Sequence, residues 1–494
     1  MTFVNTRSVT RINRRHLFSL AATATVAVAS GNLANIATTR AQATPAATTG
    51  PGFLDANLVH DIAVTFDQDA YDAMIAILED SGDKEWIEAA VSIDGSSYEN
   101  AGMRLKGNSS LGGFIRPPAS GLPEGEEPAT GGNEEGPTTH AEGETGELES
   151  AEHLPWLIRL DKFVDNQSHG GLTELVIRSN RSETSLNEAV ALDLLTLADL
   201  DSQLAAATRF SVNDSEPVLR LAIEHPNDAW MAAHFPAGGL LYKAEAGGDF
   251  SYHGDDPAAY KDIFDLEAGG TGDDVADMQP LFDFLAFLND SDDEAFAAEL
   301  PERLDVEAFA TYLAMMDLIG NHDDISGPGN NAYLHVDPGS TQFKVVPWDM
   351  NLAFDAFGPG TSAEGGPMLD GTPAAPDDSF VVPDSGSSGG EGLTVIEGTP
   401  PADLDCPEDQ CTVRMAGPGT PNTLVERCNA TAGFTDLVEE TRLRLHAELY
   451  ESGTAADVLA QRVGVLTDQA LDVVDEDTIA SESDILAQFF TQEP

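Results

Sequence analysis

The sequence predicts an α+β fold with an N-terminal β-rich lobe and a helical C-terminal part. Three observations carry the expectation. Apolar residues alternate with period two through much of the chain before residue 250. Amphipathic spacing of three and four residues takes over from about residue 278. Strands therefore come first and helices later, the order of an α+β domain.

From Leu58 the chain alternates through Ile62, Val64 and Phe66 as a strand, and a helix follows over about residues 69–79. Residues 86–93 read as a second strand, closed by the turn pair Asp94-Gly95, and residues 103–106 as a third. Residues 116–151 are rich in Gly, Glu, Pro and Thr and nearly free of large apolar groups, the composition of a mobile acidic insertion. Strands resume at 156–163 and 172–177. A helix over 185–200 puts Leu186, Val190, Leu194 and Leu197 on one face. Residues 207–250 mix strands with a short helix, and 278–320 are helical. A hairpin follows at 331–347. A second acidic, Gly/Pro-rich insertion covers 358–421, and amphipathic helices over 422–494 close the chain.

Residues 1–43 have the marks of an export signal of the twin-arginine type. Arg14-Arg15-His16-Leu17-Phe18 precedes a mildly apolar stretch that ends at the small-x-small pattern Ala41-Gln42-Ala43. That stretch is shorter than the roughly 20 apolar residues a bilayer span needs. A Sec signal carrying two arginines is the alternative. Residues 44–57 form a small-residue linker, 58–357 the main folded domain, and 422–494 its helical completion. The expected location is extracytoplasmic, secreted or held at the cell surface.

Composition narrows the partners. The chain has 24 Lys and Arg against 85 Asp and Glu, a net charge of −61. Five of the arginines lie in the first 43 residues, so the mature surface is more acidic still. Such a surface repels nucleic acid and anionic membranes, which excludes both as partners, and no second apolar stretch suggests a stable membrane span. The six lysines, Lys84, Lys106, Lys162, Lys243, Lys261 and Lys344, therefore stand out. Lys106 and Lys162 are expected to face solvent. Lys243 reads equally as a ligand-facing group and as a lysine at a strand end. His169, before Gly170-Gly171, reads as a turn residue. Cys406, Cys411 and Cys428 permit one disulfide whose pairing is open. No Ser-His-Asp arrangement, zinc array or Walker-type GxxxxGK[ST] occurs.

The stretch 321–354 carries the chemistry. A helix over about 306–319 stops at Gly320-Asn321. Then come His322-Asp323-Asp324, a Gly/Pro loop and a strand opening at Asn331; after the turn Pro338-Gly339-Ser340 the chain returns to Trp348-Asp349. A turn centred near 339–340 sets Asn331 beside Asp349 at the open end of the hairpin, next to the loop that holds Asp323. Hard oxygen donors of this kind suit Mg²⁺ bridging to phosphate.

Around this stretch runs a series of short motifs. They are Ile93-Asp94-Gly95, Met103-Arg104-Leu105-Lys106-Gly107-Asn108-Ser109-Ser110-Leu111 and Leu157-Ile158-Arg159-Leu160-Asp161-Lys162-Phe163. There follow His169-Gly170-Gly171-Leu172, Ser185-Leu186-Asn187-Glu188, Gly239-Leu240-Leu241-Tyr242-Lys243, Asn331-Ala332-Tyr333-Leu334 and Pro347-Trp348-Asp349-Met350. In this order, over about residues 58–357, the chain resembles the CotH kinase family, the spore-coat-protein-H-like atypical protein kinases.

The resemblance implies a protein-kinase-like, two-lobed fold that binds ATP with Mg²⁺ or Mn²⁺ and phosphorylates Ser or Thr of an exported or surface protein. Its own loops, with Thr130, Thr138, Thr139 and Thr145, are among the candidate acceptors. By position, Asp323 resembles the catalytic aspartate, with Asp324 as its alternative. Asp349 is similar to the metal-holding aspartate and Asn331 to a second metal ligand. Arg104, Asn108 and Ser109, Arg159 where the family carries a lysine nearby, and Lys243 are the implied cofactor-binding residues. A catalytically silent surface, scaffold or adhesion protein on the same fold is the competing expectation.

Overall fold

The computed structural model describes residues 54–107, 111, 150–245, 250–327, 330–355 and 422–492, with the backbone of 379–382 and 394–397. The expected signal 1–43, most of the linker, the candidate acceptor threonines, Asn108, Ser109, Cys406 and Cys411 lie outside the described residues, as do most of the two acidic insertions.

Seven strands close a barrel: β1 (Val59–Phe66), β2 (Ile87–Ile93), β3 (Ser96–Leu105), β4 (Trp156–Arg159), β5 (Glu174–Ile177), β6 (Ala205–Val212) and β7 (Val218–Glu224). Their order is β1-β2-β3-β4-β5-β7-β6, and β6 returns parallel to β1 to complete the ring. Closure leaves no sheet edge to pair with other chains. Alternation then assigns each side chain to a core. Ile62, Val64, Ile158, Leu175 and Ile177 fill the barrel, whereas Leu157 and Val176, one residue out of phase, pack into the helical core outside it. Helix α1 (Gln68–Ser81), capped by Asp67 and ended by Gly82, lays Tyr71, Met74 and Leu78 on the barrel.

A second, antiparallel sheet runs β11-β10-β8-β9, from β8 (Leu240–Ala244), β9 (Phe264–Ala268), β10 (Ala332–Val336) and β11 (Phe343–Pro347). β9 is absent from the sequence expectation, because Phe264–Ala268 alternates carboxylates with only three apolar residues. Helix α2 (Leu186–Leu197) joins the two lobes, and short α3 (Asp228–His234) follows the barrel. The C-terminal part is mostly helical: α4 (Asp274–Asp290), α5 (Asp293–Arg303), α6 (Val306–Leu318), α7 (Thr423–Ala430), α8 (Phe434–His446), α9 (Thr454–Gln469) and α10 (Glu476–Phe489). Asp273, Asp292 and Asp305 each accept from the third amide of the helix that follows, so part of the acidity is spent on N-caps. Cys428 is a free, buried thiol that burial pushes up to about 12. Among the described residues no helix is long and apolar enough to cross a membrane.

Candidate functional site

The site lies where the barrel, α2, the second sheet and the loop after α6 meet. Its frame is the β10–β11 hairpin. Ala332 pairs with Pro347 and Val336 with Phe343, and the Trp348 amide donates to the Asn331 carbonyl at 3.1 Å. Trp348, rather than Asp349, therefore stands opposite Asn331, one residue off the expected register. Asp349 is the next residue along, and both Asn331 (φ 56°) and Asp349 (φ 65°) adopt left-handed backbone as the chain turns out of the sheet.

The loop after α6 brings in Asp323. Gly320 (φ 59°) ends the helix, and the Asn331 amide nitrogen donates to the Asp323 carbonyl at 2.6 Å. The Asp323 carboxyl is raised above its ordinary value, first by burial and then by the Asp349 charge, against a hydrogen bond from Asn331. Asp323 thus contacts Asn331 and lies within electrostatic reach of Asp349. Asp324 points elsewhere: it accepts from the Ser326 amide at 2.9 Å and lines a cleft of about 490 Å³ with Asn321, Asp317 and Arg442. Burial pushes it up to about 6. Of the two adjacent aspartates, Asp323 is the one on the Asp349 side.

Arg178, at the end of β5, is the central cation. Its Nε donates to Oε2 of Glu188 of α2 at 3.1 Å and its Nη2 to Oδ1 of Asp349. Burial opposes the Arg178 charge, but Asp349 and then Glu188 more than restore it. Burial and Asp349 together raise the Glu188 carboxyl despite Arg178. One buried arginine thus ties a glutamate of α2 to an aspartate at the end of the hairpin. Arg178 is not among the residues the sequence singles out, and Glu188 enters only within the Ser185-Leu186-Asn187-Glu188 motif. The available signal was charge in apolar surroundings: each belongs to an otherwise buried segment.

A second cationic group faces the same region. Lys106, expected in solvent, is half-buried instead: Nζ lies 2.8 Å from His225 Nε2 and 5.4 Å from the Trp348 ring centre. The Arg178 guanidinium lies 5.8 Å from the same ring centre, so two cations approach Trp348. Burial lowers the Lys106 ammonium to about 8, with Lys243 and Arg104 adding to the effect against Glu267. Burial, and then Lys106, lowers the proton affinity of His225 below its ordinary value, and its Nδ1 lies 2.7 Å from Glu174. Arg159 meets Glu174 at 3.4 Å, so it joins this chain only through that carboxylate. Lys243 pairs with Glu245, and the Arg104 guanidinium sits 4.9 Å from the Trp86 ring centre. Lys162, also expected in solvent, packs over the same ring at 4.8 Å. Burial, Lys243 and Arg104 also bear on Lys84. Three of six lysines thus converge with Arg104, in a chain of charge −61.

The donor set fits a hard divalent cation. Two carboxylates and an amide converge, Asp323 is raised by the Asp349 charge, and Arg178 engages only Oδ1 of Asp349. Among the described residues no cluster of three or more His, Cys, Asp or Glu side chains stands ready for a metal, so a cation here would need phosphate oxygens or water to complete its shell.

Among curated proteins none matches the chain. A family model described as CotH kinase protein does match, over residues 145–381, a span that takes in Arg178, Glu188, Lys243, Asp323, Asn331 and Asp349. The chain therefore carries a CotH domain over residues 145–381.

Proposed function

We propose that the protein is an exported kinase of the CotH type that transfers the γ-phosphate of ATP to Ser or Thr of a surface or exported protein, its own loops included. The observation that carries this is the meeting of Asp323, Asn331 and Asp349 beside the Arg178–Glu188 pair. In this reading Asp349 and Asn331 would hold Mg²⁺ or Mn²⁺, which neutralises phosphate charge when bound. Asp323 orients the acceptor hydroxyl and takes its proton; its raised affinity for protons suits a base better than an unperturbed carboxylate would. Lys106 and Lys243, with Arg104 behind them, supply the positive potential that a polyphosphate needs on so acidic a molecule.

The twin-arginine-type segment supports an extracytoplasmic location. That route carries proteins already folded, so nucleotide can be bound before export.

Radiolabelled ATP with purified protein and Mn²⁺ or Mg²⁺ tests the assignment. Incorporation is expected in wild type and not in Asp349→Ala; equal labelling of the two sinks it. One observation favours a catalytically silent surface protein instead, namely that Arg178 already neutralises Asp349. Calorimetry separates the readings. Metal-dependent ATP binding supports the kinase, and Ca²⁺ binding without any nucleotide binding supports the silent protein.

A further inference from the structure

Helix α2 is held from two sides. Toward the site, Glu188 pairs with Arg178, and the Asn187 amide donates at 2.8 Å to the carbonyl of Asn351, two residues past Asp349. On the far side, α2 is gripped by the last two helices, which lie outside the matched span 145–381. Arg462 of α9 makes two 2.7 Å bonds to Asp193 and a third to the Ala205 carbonyl. Glu482 of α10 accepts from the Glu183 amide at 3.0 Å, the Thr184 amide at 3.2 Å and the Thr184 hydroxyl.

The grip by Glu482 replaces an ordinary helix cap. Ser185, the residue before α2, has left-handed backbone (φ 51°, ψ 26°), and its side chain caps nothing. The Leu186 amide turns instead to Thr184 Oγ1, whose proton goes to Glu482. The first turn of α2, which carries Glu188, thus takes its position from a carboxylate nearly three hundred residues later in the chain. Glu482 and Thr184 are both buried, so an unmade bond here is not recovered by water.

We infer that Glu482 is a positioning residue of the site: through Thr184 it fixes the start of α2, and through Glu188 it sets Arg178 against Asp349. The inference rests on the proposed role of Asp349, and its test separates the two.

The first measurement is a double-mutant cycle on ATP-dependent phosphoryl transfer with Glu482→Gln and Glu188→Gln. If Glu482 acts through Glu188, Glu482→Gln lowers kcat about tenfold while the double variant is no slower than Glu188→Gln alone. Multiplying losses overturn the inference, because a merely stabilising carboxylate acts independently of Glu188. The second is hydrogen exchange of the amides of residues 186–190, which needs no activity. Exchange about tenfold faster in Glu482→Gln, with the barrel strands unchanged, supports the inference; unaltered exchange overturns it. Should Glu482→Gln prove unstable, Thr184→Val removes the same hydroxyl link and is read in the same two ways. A wild type that transfers no phosphate defeats the kinase proposal and leaves the exchange experiment to decide this one.

Discussion

Arg178 is ion-paired with both Glu188 and Asp349. Removing it strands Glu188, which is 2% exposed, as an uncompensated carboxylate. Arg178→Ala should therefore lower stability by about 3–5 kcal/mol, read from urea midpoints. Arg178→Lys keeps the charge but loses the planar fork, and should retain most stability while weakening metal-dependent nucleotide binding. Lys106 gives a pH signature of two opposite signs. Its folded-state affinity for the proton, near pH 8, is below the 10.5 of an ordinary lysine. Below about pH 8 both folded and unfolded chains carry the charge. As pH rises from about 8 to 10.5 the unfolded chain holds more protons, so this residue makes the fold more stable across that window. Over the same window the charge offered to phosphate disappears. ATP affinity measured by calorimetry should fall about tenfold between pH 7 and 9 in wild type and stay flat in Lys106→Arg, whose guanidinium remains charged.

The elements that carry the site are joined through close backbone contacts. At Gly239, just before β8, φ is +132°, and a Cβ there would lie 2.2 Å from the Val336 carbonyl oxygen of β10. Gly339, in the β10–β11 turn, has φ +73° but open space around it. Gly339→Ala should lose about 1–2 kcal/mol from backbone conformation alone. Gly239→Ala should lose clearly more in the same urea series, because β8 must also move away from β10. That shift would carry Lys243 from its place opposite Tyr333. At this scale much was legible. The strand at β1 and the helix at α1 fall where periodicity puts them, since each has one face on a core and one outside it, while the return strand β11, buried at all but Lys344, falls where its apolar run puts it. The hairpin register was missed by one residue. Turn type sets register, and Pro338-Gly339-Ser340 admits more than one closure.

At the scale of the whole molecule, the matched span 145–381 is not a complete folding unit. It lacks β1, β2 and β3, three of the seven barrel strands, and it lacks α9 and α10. A fragment of residues 145–381 should show no cooperative thermal transition by circular dichroism, whereas residues 49–494 should. Without β1 the parallel closure with β6 is lost, and open edges remain. α9 also fastens the first strand, through Gln469 to Val59, and Asp472, just past α9, holds Arg209 of β6. The two ends of the folded chain therefore stabilise each other.

By itself the sequence determined the order of lobes and most elements, and it set Asp323, Asn331 and Asp349 around one hairpin, because periodicity and motif spacing are local properties. It also marked the lysines as exceptional, since charge can be counted. Only the tertiary structure decided which cations matter. Lys106 turns inward because Trp348 and His225 meet it there, and Arg178 stands at the centre because the β10–β11 hairpin brings Asp349 to it from another part of the chain. Such choices rest on contacts between residues about ten to three hundred positions apart, as from Arg178 to Glu188 and from Thr184 to Glu482, and no local pattern encodes them.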